Sequence, residues 1–526
     1  MLERFFKSRW VKYPFYLLFS IFLFVPLRLI YYHVVGQKII VSKETTYLVE
    51  PVLDPETLNF VKALNTIASE GVTPQNNAAV PLMEAFGPGI IPAENRDDFF
   101  NELEMPVPPE EGDYLVLLEQ YESEVLKDEI ALIDQFDLHQ EEASRRPWNR
   151  DEFPDISDWI DRNEIPLQVI SEGMAREHFY VPILEASDSS FGRLFSSQLP
   201  VQQSSRAIGS LLNARSIREL EEEKVDAAID DFLTVHRLAS HIKKNGSWVI
   251  NSVGMSLEAI VFEGEQALLS SGKLDLAQVI LFQHELNALP DPPTLVEIIG
   301  GTERASSIDQ ALHFTQSSAA QEQNDDEQKR FQYPASLDIN YLLRKINQKI
   351  DHQVVALGKE TYRERLLALE KLEEELFQVS YSKMLYGTLT RTMVADLLVD
   401  SVLLGPLIMG SSLHSSWGQT YCRRRMLSIG LELEKYRLKQ GNFPESLDPL
   451  KANLPAETFL DYFSDQPLLY QKTERGYVLY SIGQNLIDDG GEPRGEPAMV
   501  DGRLQRSTTD DIVLKIELKR KPAIAE

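Results

Sequence analysis

One apolar run near the start constrains this chain more than any other feature. Pro14 to Val35 carries Arg28 as its single formal charge, and about 20 mainly apolar residues suffice for a helix to cross a bilayer. Tyr13, Tyr16, Tyr31 and Tyr32 flank the run, where amphipathic rings favour the interface. Arg28 lies in its second half, and the cost of such a charge falls when the side chain reaches toward the nearer surface. Pro26 is expected to kink the helix rather than end it. Arg4, Lys7, Arg9 and Lys12 precede the run against Glu3 alone, so the positive-inside rule places the N-terminus in the cytoplasm and everything after about Gly36 outside. A cleaved signal peptide with Phe15–Leu27 as its apolar region is the rival reading. It lacks a small-x-small cleavage site, because Leu29 to Val35 is bulky and aromatic. The expectation is an uncleaved anchor, with residues 1–12 as a cytoplasmic tail and 13–36 as the transmembrane helix.

Beyond the anchor lies a large acidic body. The chain has 526 residues, 43% hydrophobic and 9% aromatic, which is the composition of a globular protein with a real core. Its 81 acidic against 52 basic residues give a net charge of −29. A body so charged repels phosphate backbones, which argues against nucleic-acid partners, and it is repelled by anionic headgroups over most of its surface. With Cys422 as the single cysteine, no intramolecular disulfide forms.

Periodicity predicts a mainly helical fold. Residues 37–150 read as irregular to helical: Ile39 to Val41 as a short strand, Pro51 to Glu70 as a helix after Asp54-Pro55-Glu56, and Leu115 to Leu138 as another. Pro106 to Gly112 reads as a solvated connector. Residues 151–410 read as a helical body of stacked, solenoid-like helix pairs. Val225, Ala228, Phe232, Val235 and Leu238 form one of several stripes at spacings of three and four. Lys224 to Ala228 and Lys273 to Ala277 look alike and both begin a helix in the manner of tetratricopeptide second helices, but their separation is wrong for that repeat's period of about 34 residues. Gln316 to Gln332 is the expected internal linker, and Leu397 to Met409 a buried helix rather than a second span. Residues 411–526 change character: a helix over Gln419 to Gln440, a hairpin of Leu468–Lys472 and Tyr477–Ile482, and a strand over Asp511 to Leu518. That is a small α+β unit.

The phrases LELEKYRLKQGNFPESLDPL (431–450), DQPLLYQKTERGYVLYSIGQNLIDDGG (465–491) and DDIVLKIEL (510–518) resemble the C-terminal half of the major pseudopilin of bacterial type II secretion systems. Pseudopilins carry their own apolar helix directly before this domain, whereas here the apolar run lies far upstream. More widely, NNAAVPLMEAFGP (76–88), DWIDRNEIPLQVI (158–170), VDAAIDDFLTVHRLASHI (225–242) and LNALPDPPTLVEII (286–299) resemble uncharacterised anchored proteins of planctomycete bacteria. Those proteins pair a helical body with a pseudopilin-like tail. The resemblance implies a protein of the bacterial inner membrane with most of the chain extracytoplasmic, and it implies no activity. Pseudopilins bind calcium in the loop after the hairpin. The corresponding region here holds Asp488 and Asp489, with Asp501 and Asp510 downstream, and calcium is the one cofactor the resemblance suggests.

No catalytic, cofactor-binding or metal-ligating set is assigned from the residues. His236 and His241 are five apart and so face different sides of a helix. His284-Glu285 opens like a zincin motif but no second histidine follows at helical spacing. His414 lies among Ser411, Ser412, Ser415 and Ser416 without a nucleophile elbow. Cys422 beside Arg423, Arg424 and Arg425 has neighbours that lower a thiol pKa, though its place on an amphipathic helix reads as structural. The same arginines read first as a solvated basic turn, with pairing to carboxylates of the helical body as the alternative. The expected function is a non-enzymatic, membrane-anchored envelope protein with unidentified protein partners. Two alternatives stand beside it: an accessory component of a secretion or pilus-like system, and an exported hydrolase with dispersed residues.

Overall fold

The computed structural model describes residues 37–55, 58–184, 199–244, 246–320, 337–376, 391–392, 394–399, 410–493, 498–500, 503–505 and 509–518, with scattered helical positions between 13 and 32. Much of the expected anchor (13–36), of the linker (316–332) and of the apolar helix (397–409) therefore lies outside the described residues, as does Asp501. Among the described residues no helix is long and apolar enough to cross a membrane.

Among the described residues the protein is mainly helical, with a three-stranded antiparallel sheet and a separate two-stranded ladder. The principal helices are α1 (Ala79–Phe86), α2 (Pro154–Arg162), α3 (Glu164–Gly173), α4 (Leu199–Glu221), α5 (Val225–Lys244), α6 (Trp248–Ser271), α7 (Leu276–Ala288), α8 (Arg304–Ala320), α9 (Ile339–Leu357), α10 (Tyr362–Leu376) and α11 (Gly410–Gln440). The stripe read from the sequence of α5 is its inner face, with Ala228, Phe232, Val235 and Leu238 fully buried. Helices α4, α5 and α6 do not stack as a row of pairs: each packs on both of the others, making a three-helix bundle. A capping box at Asp275 and Gln278 starts α7.

Helix α11 begins nine residues before the expected Gln419 and rises about 45 Å. It stops where Gly441 takes a left-handed φ of 85° and donates its N–H to the Arg437 carbonyl at 2.8 Å. The sheet comes next, as expected, with β1 (Leu469–Lys472), β2 (Gly476–Ser481) and β5 (Ile512–Glu517) in the order β1-β2-β5. Leu469 pairs with Tyr480 in the hairpin, and Tyr477 pairs with Ile516 across β2 and β5. Ile512, Leu514 and Ile516 face inward while Lys515 and Glu517 face water. A second, two-stranded ladder joins β3 (Ala498–Val500) to β4 (Arg503–Gln505).

One hydrophobic core runs from Ala78 through α4–α7 to Ile516, so no break in packing marks residue 411. At Gly430 a methyl group would stand 3.0 Å from Leu514 and 3.1 Å from Leu269. The bare glycine lets α11, α6 and β5 meet at one point. A second core gathers Leu53, Phe60 and Ala63 with α8, α9, α10 and Trp417 of α11.

Three local expectations differ from the structure. The helix expected over Pro51 to Glu70 runs only over Phe60–Ala68, because Asn59 accepts from Lys62 N at 2.8 Å and caps it there. Leu115 to Leu138 is interrupted where Lys127 and Asp128 take positive φ, giving Leu118–Glu124 and Ile130–Ala143. Ile39 to Val41 forms no strand; the Ile40 N–H donates to the Asn340 side chain at 2.9 Å instead.

Candidate functional site

The densest buried chemistry lies between α5, α6, α7 and α11. His236 and Lys243 stand seven residues apart on α5, two turns along one face, and opposite them Glu265 and Glu258 stand seven apart on α6. Because the helices are joined by a short connection and run antiparallel, the two pairs align in one register. His236 Nε2 lies 2.6 Å from Glu265 Oε1, and Lys243 Nζ donates to Glu258 Oε1 at 2.5 Å. All four side chains are buried.

A cavity of about 50 Å³ opens beside them, lined among others by His236, Ser240, Lys243, Glu258 and Arg424. Polar walls and that volume suit a few ordered waters. Glu258 Oε2 is buried there without a protein hydrogen-bond partner. Burial pushes Glu258 up, but the charges of Lys243 and Arg424 outweigh it and hold the carboxyl below its usual range. Burial dominates at Glu265 and raises its pKa, against the pull of His236. The two carboxyls are thus shifted in opposite directions, Glu258 down by its basic neighbours and Glu265 up by burial. Chemically the network offers a histidine oriented by a carboxylate and a carboxylate oxygen open to a donor.

The residues singled out from sequence are dispersed rather than convergent. Helical spacing separates His236 and His241 as expected: His241 Nε2 lies 3.2 Å from the Met174 carbonyl and its ring stacks on Phe179. His284 is exposed beside Glu285. His414 is fully buried and stacks on Tyr362 at 4.5 Å between centroids. Arg365 Nε donates to its Nε2 at 2.8 Å, which commits that nitrogen as an acceptor. Burial, then the Arg365 charge, pushes its pKa down to about 3. Ser415 donates to Gln484 and Ser416 to the Ser412 carbonyl, so neither serine is hydrogen-bonded to His414.

The arginines beside Cys422 do not activate it, because successive residues of α11 point to different sides. The thiol is buried 3.6 Å from Asp461 Oδ1, and burial with that carboxylate raises its pKa to about 12. Of its neighbours, Arg424 lines the cavity and its charge reaches Glu258, Arg423 is held near Glu263 and Glu258, and Arg425 donates to the Leu460 carbonyl at 2.7 Å. Among the described residues none of the three arginines forms an ion pair; the carboxylate charges that act on them, Glu258 and Glu263, lie on α6.

In the loop after the hairpin, Asp488, Asp489 and Asp510 come together with Asp511. Their carboxylates accept mainly from backbone: Asp489 from Asp510 N at 2.9 Å, Asp511 from Gly491 N at 2.8 Å, Asp488 from Gly490 N at 2.9 Å, and Asp510 from Gln484 N at 3.0 Å. Among the described residues no group of three or more His, Cys, Asp or Glu side chains is disposed to hold a metal ion.

Two buried groups gave no motif in the sequence. Glu303 ends a π-helical turn (Ile299–Glu303), buried, with Trp248 N 3.4 Å from Oε2; burial raises its pKa to about 7. On α4, Arg215 forks onto Asp231 of α5 at 2.8 and 2.5 Å, and burial with the Asp231 charge raises the neighbouring Glu219 to about 7. The chain matches no protein-family model, no curated protein and no solved structure.

Proposed function

We propose that this chain is a single-pass, membrane-anchored envelope protein whose extracytoplasmic body serves as an interaction module rather than an enzyme. The observation that carries the reading is the N-terminal segment. Its described positions are helical, and Leu23, Phe24, Leu27 and Ile30 present their side chains outward, each more than half exposed. A helix that shows water such a surface behind a cationic flank is explained by lipid around it. Partner binding is supported by an open groove of about 570 Å³ lined by Phe86, Ile90, Tyr114 and Leu117 together with Glu110 and Glu111. The reactive side chains, by contrast, are engaged with structural partners: His236 with Glu265, His414 with Arg365, Cys422 with Asp461.

Protease added to intact spheroplasts tests this. The body is expected to be digested while a tag before Glu3 is protected, and the chain is expected to resist carbonate extraction. A protected body, or release by carbonate, refutes the reading.

A second reading rests on the tail. A long helix followed by a hairpin and a returning third strand supports a pseudopilin-like domain, and through it an accessory role in a secretion or pilus-like system. Affinity capture of the detergent-extracted protein is then expected to recover apparatus subunits, and recovery of none counts against it.

A further inference from the structure

The described residues on either side of positions 33–36 both contact the same part of the body. Tyr32, the last described helical residue of that segment, lies under Arg391, whose guanidinium carbon stands 3.5 Å from the ring centroid. Arg28, one turn back, reaches the same ring at 5.8 Å. Arg391 is itself built into the body: it donates to the Leu337 carbonyl, and its own carbonyl accepts from Asp338 N at 3.2 Å. Five residues after Tyr32 the chain is already fastened to the start of α9. Gln37 Nε2 donates to the Leu337 carbonyl at 2.7 Å, and Asn340 both receives from Ile40 N and donates to the Lys38 carbonyl at 2.9 Å. Asn347, two turns further along α9, donates to the Thr45 carbonyl at 2.7 Å.

Fastened this way, the segment from Lys38 to Lys43 is held on the body within a few residues of the helix in sequence. Lys38, Ile40 and Lys43 project into solvent from it, Ile40 at 59% exposure. The charge here is opposite to that of the body: residues 37–49 hold Lys38 and Lys43 against Glu44, in a chain whose net charge is −29. An apolar residue between two lysines beside an interfacial tyrosine matches the headgroup layer in both polarity and sign. The acidic remainder of the surface is repelled by that layer.

We propose that the body sits directly on the headgroups of the outer leaflet, with Lys38, Ile40 and Lys43 as its contact margin and anionic phospholipid headgroups as the partner. This rests on the anchored reading above and adds to it a position and a lipid preference. Attraction at this margin and repulsion elsewhere hold the body in one orientation over the bilayer.

The test uses the full-length protein in vesicles of phosphatidylcholine with or without phosphatidylglycerol, carrying an environment-sensitive fluorophore at one introduced cysteine. Cys422 is buried and does not compete for label. Ile40→Cys probes the margin. Ser446→Cys is the remote control, since it lies six residues past the end of α11, whose last residue stands about 45 Å along the helix from Gly410, and that first turn packs near the second core. Leu23→Cys reports the anchor. A headgroup-spin-labelled lipid is expected to quench position 40 several-fold more than position 446, and phosphatidylglycerol to strengthen the difference. Lys38→Glu with Lys43→Glu is expected to abolish the phosphatidylglycerol effect. Equal quenching at 40 and 446, with Leu23→Cys quenched by acyl-chain labels, overturns the seated body and leaves the anchor standing. No quenching at position 23 overturns both.

Discussion

Replacing Glu303 by glutamine isolates one buried carboxyl and fixes the sign of its effect. Glu303 is buried at the end of the π-helical turn, and burial raises its pKa from the ordinary value near 4.5 to about 7. Between those values the folded chain holds a proton that the unfolded chain gives up, so stability falls as pH rises across that window and is fully retained below it. A shift of about 2.5 units corresponds to about 3 kcal/mol. With unfolding entropies near 2 cal/mol/K per residue, a chain of this length loses roughly 1 °C of Tm per kcal/mol if it melts as one unit, and more if the second core melts separately. Glutamine keeps the shape and the acceptor for Trp248 N without the charge. Thermal melts at pH 5 and pH 8 should show Glu303→Gln close to wild type in acid and about 3 °C more stable in base. Glu219 contributes to the wild-type slope as well, which is why the difference between the two proteins is the quantity to read. An unchanged difference between the proteins at the two pH values would refute the argument.

The α5–α6 network gives a second expectation: Lys243→Met leaves Glu258 buried without its partner and should cost about 3–5 kcal/mol, while Lys243→Met with Glu258→Met should recover most of it. A double-mutant cycle on denaturant midpoints reads this, and additive losses would show the pair to be uncoupled. Cys422, buried with a pKa raised to about 12, should resist iodoacetamide at pH 8 in the native protein and react fully in urea. Rapid native labelling would place the thiol at the surface.

The parts of the fold that were legible in sequence are those where one local signal decides. The alternation of Ile512, Leu514 and Ile516 and the Gly476 hairpin placed the strands within about a residue, and the α5 stripe placed its buried face. Turn chemistry was harder. Asn59, not Asp54, caps the helix before Ala68, and positive φ at Lys127 and Asp128 breaks a stripe that looks continuous. How helices assemble was not legible at all, since a stripe says which face is buried and not against what. The candidate site shows the same limit. His236 drew notice as a histidine, but its meaning lies in Glu265, on another helix. One signal was there to find: two basic residues seven apart on one helix and two acidic residues seven apart on the next, in mirrored order. Glu303 had no such signal, because its burial follows from tertiary packing alone.

The place of β5 has a consequence for how the molecule is made. Its inward residues close a face shared by α6 and the middle of α11, meeting Leu269 across Gly430. Yet β5 is synthesised more than two hundred residues after α6. Until then the greasy seam between those helices has no lid, and pairing across so long a separation is slow. A nascent chain stalled before Ile512 would expose that seam to proteases and to its own neighbours, so quality control has an unambiguous mark by which to tell an incomplete molecule from a finished one.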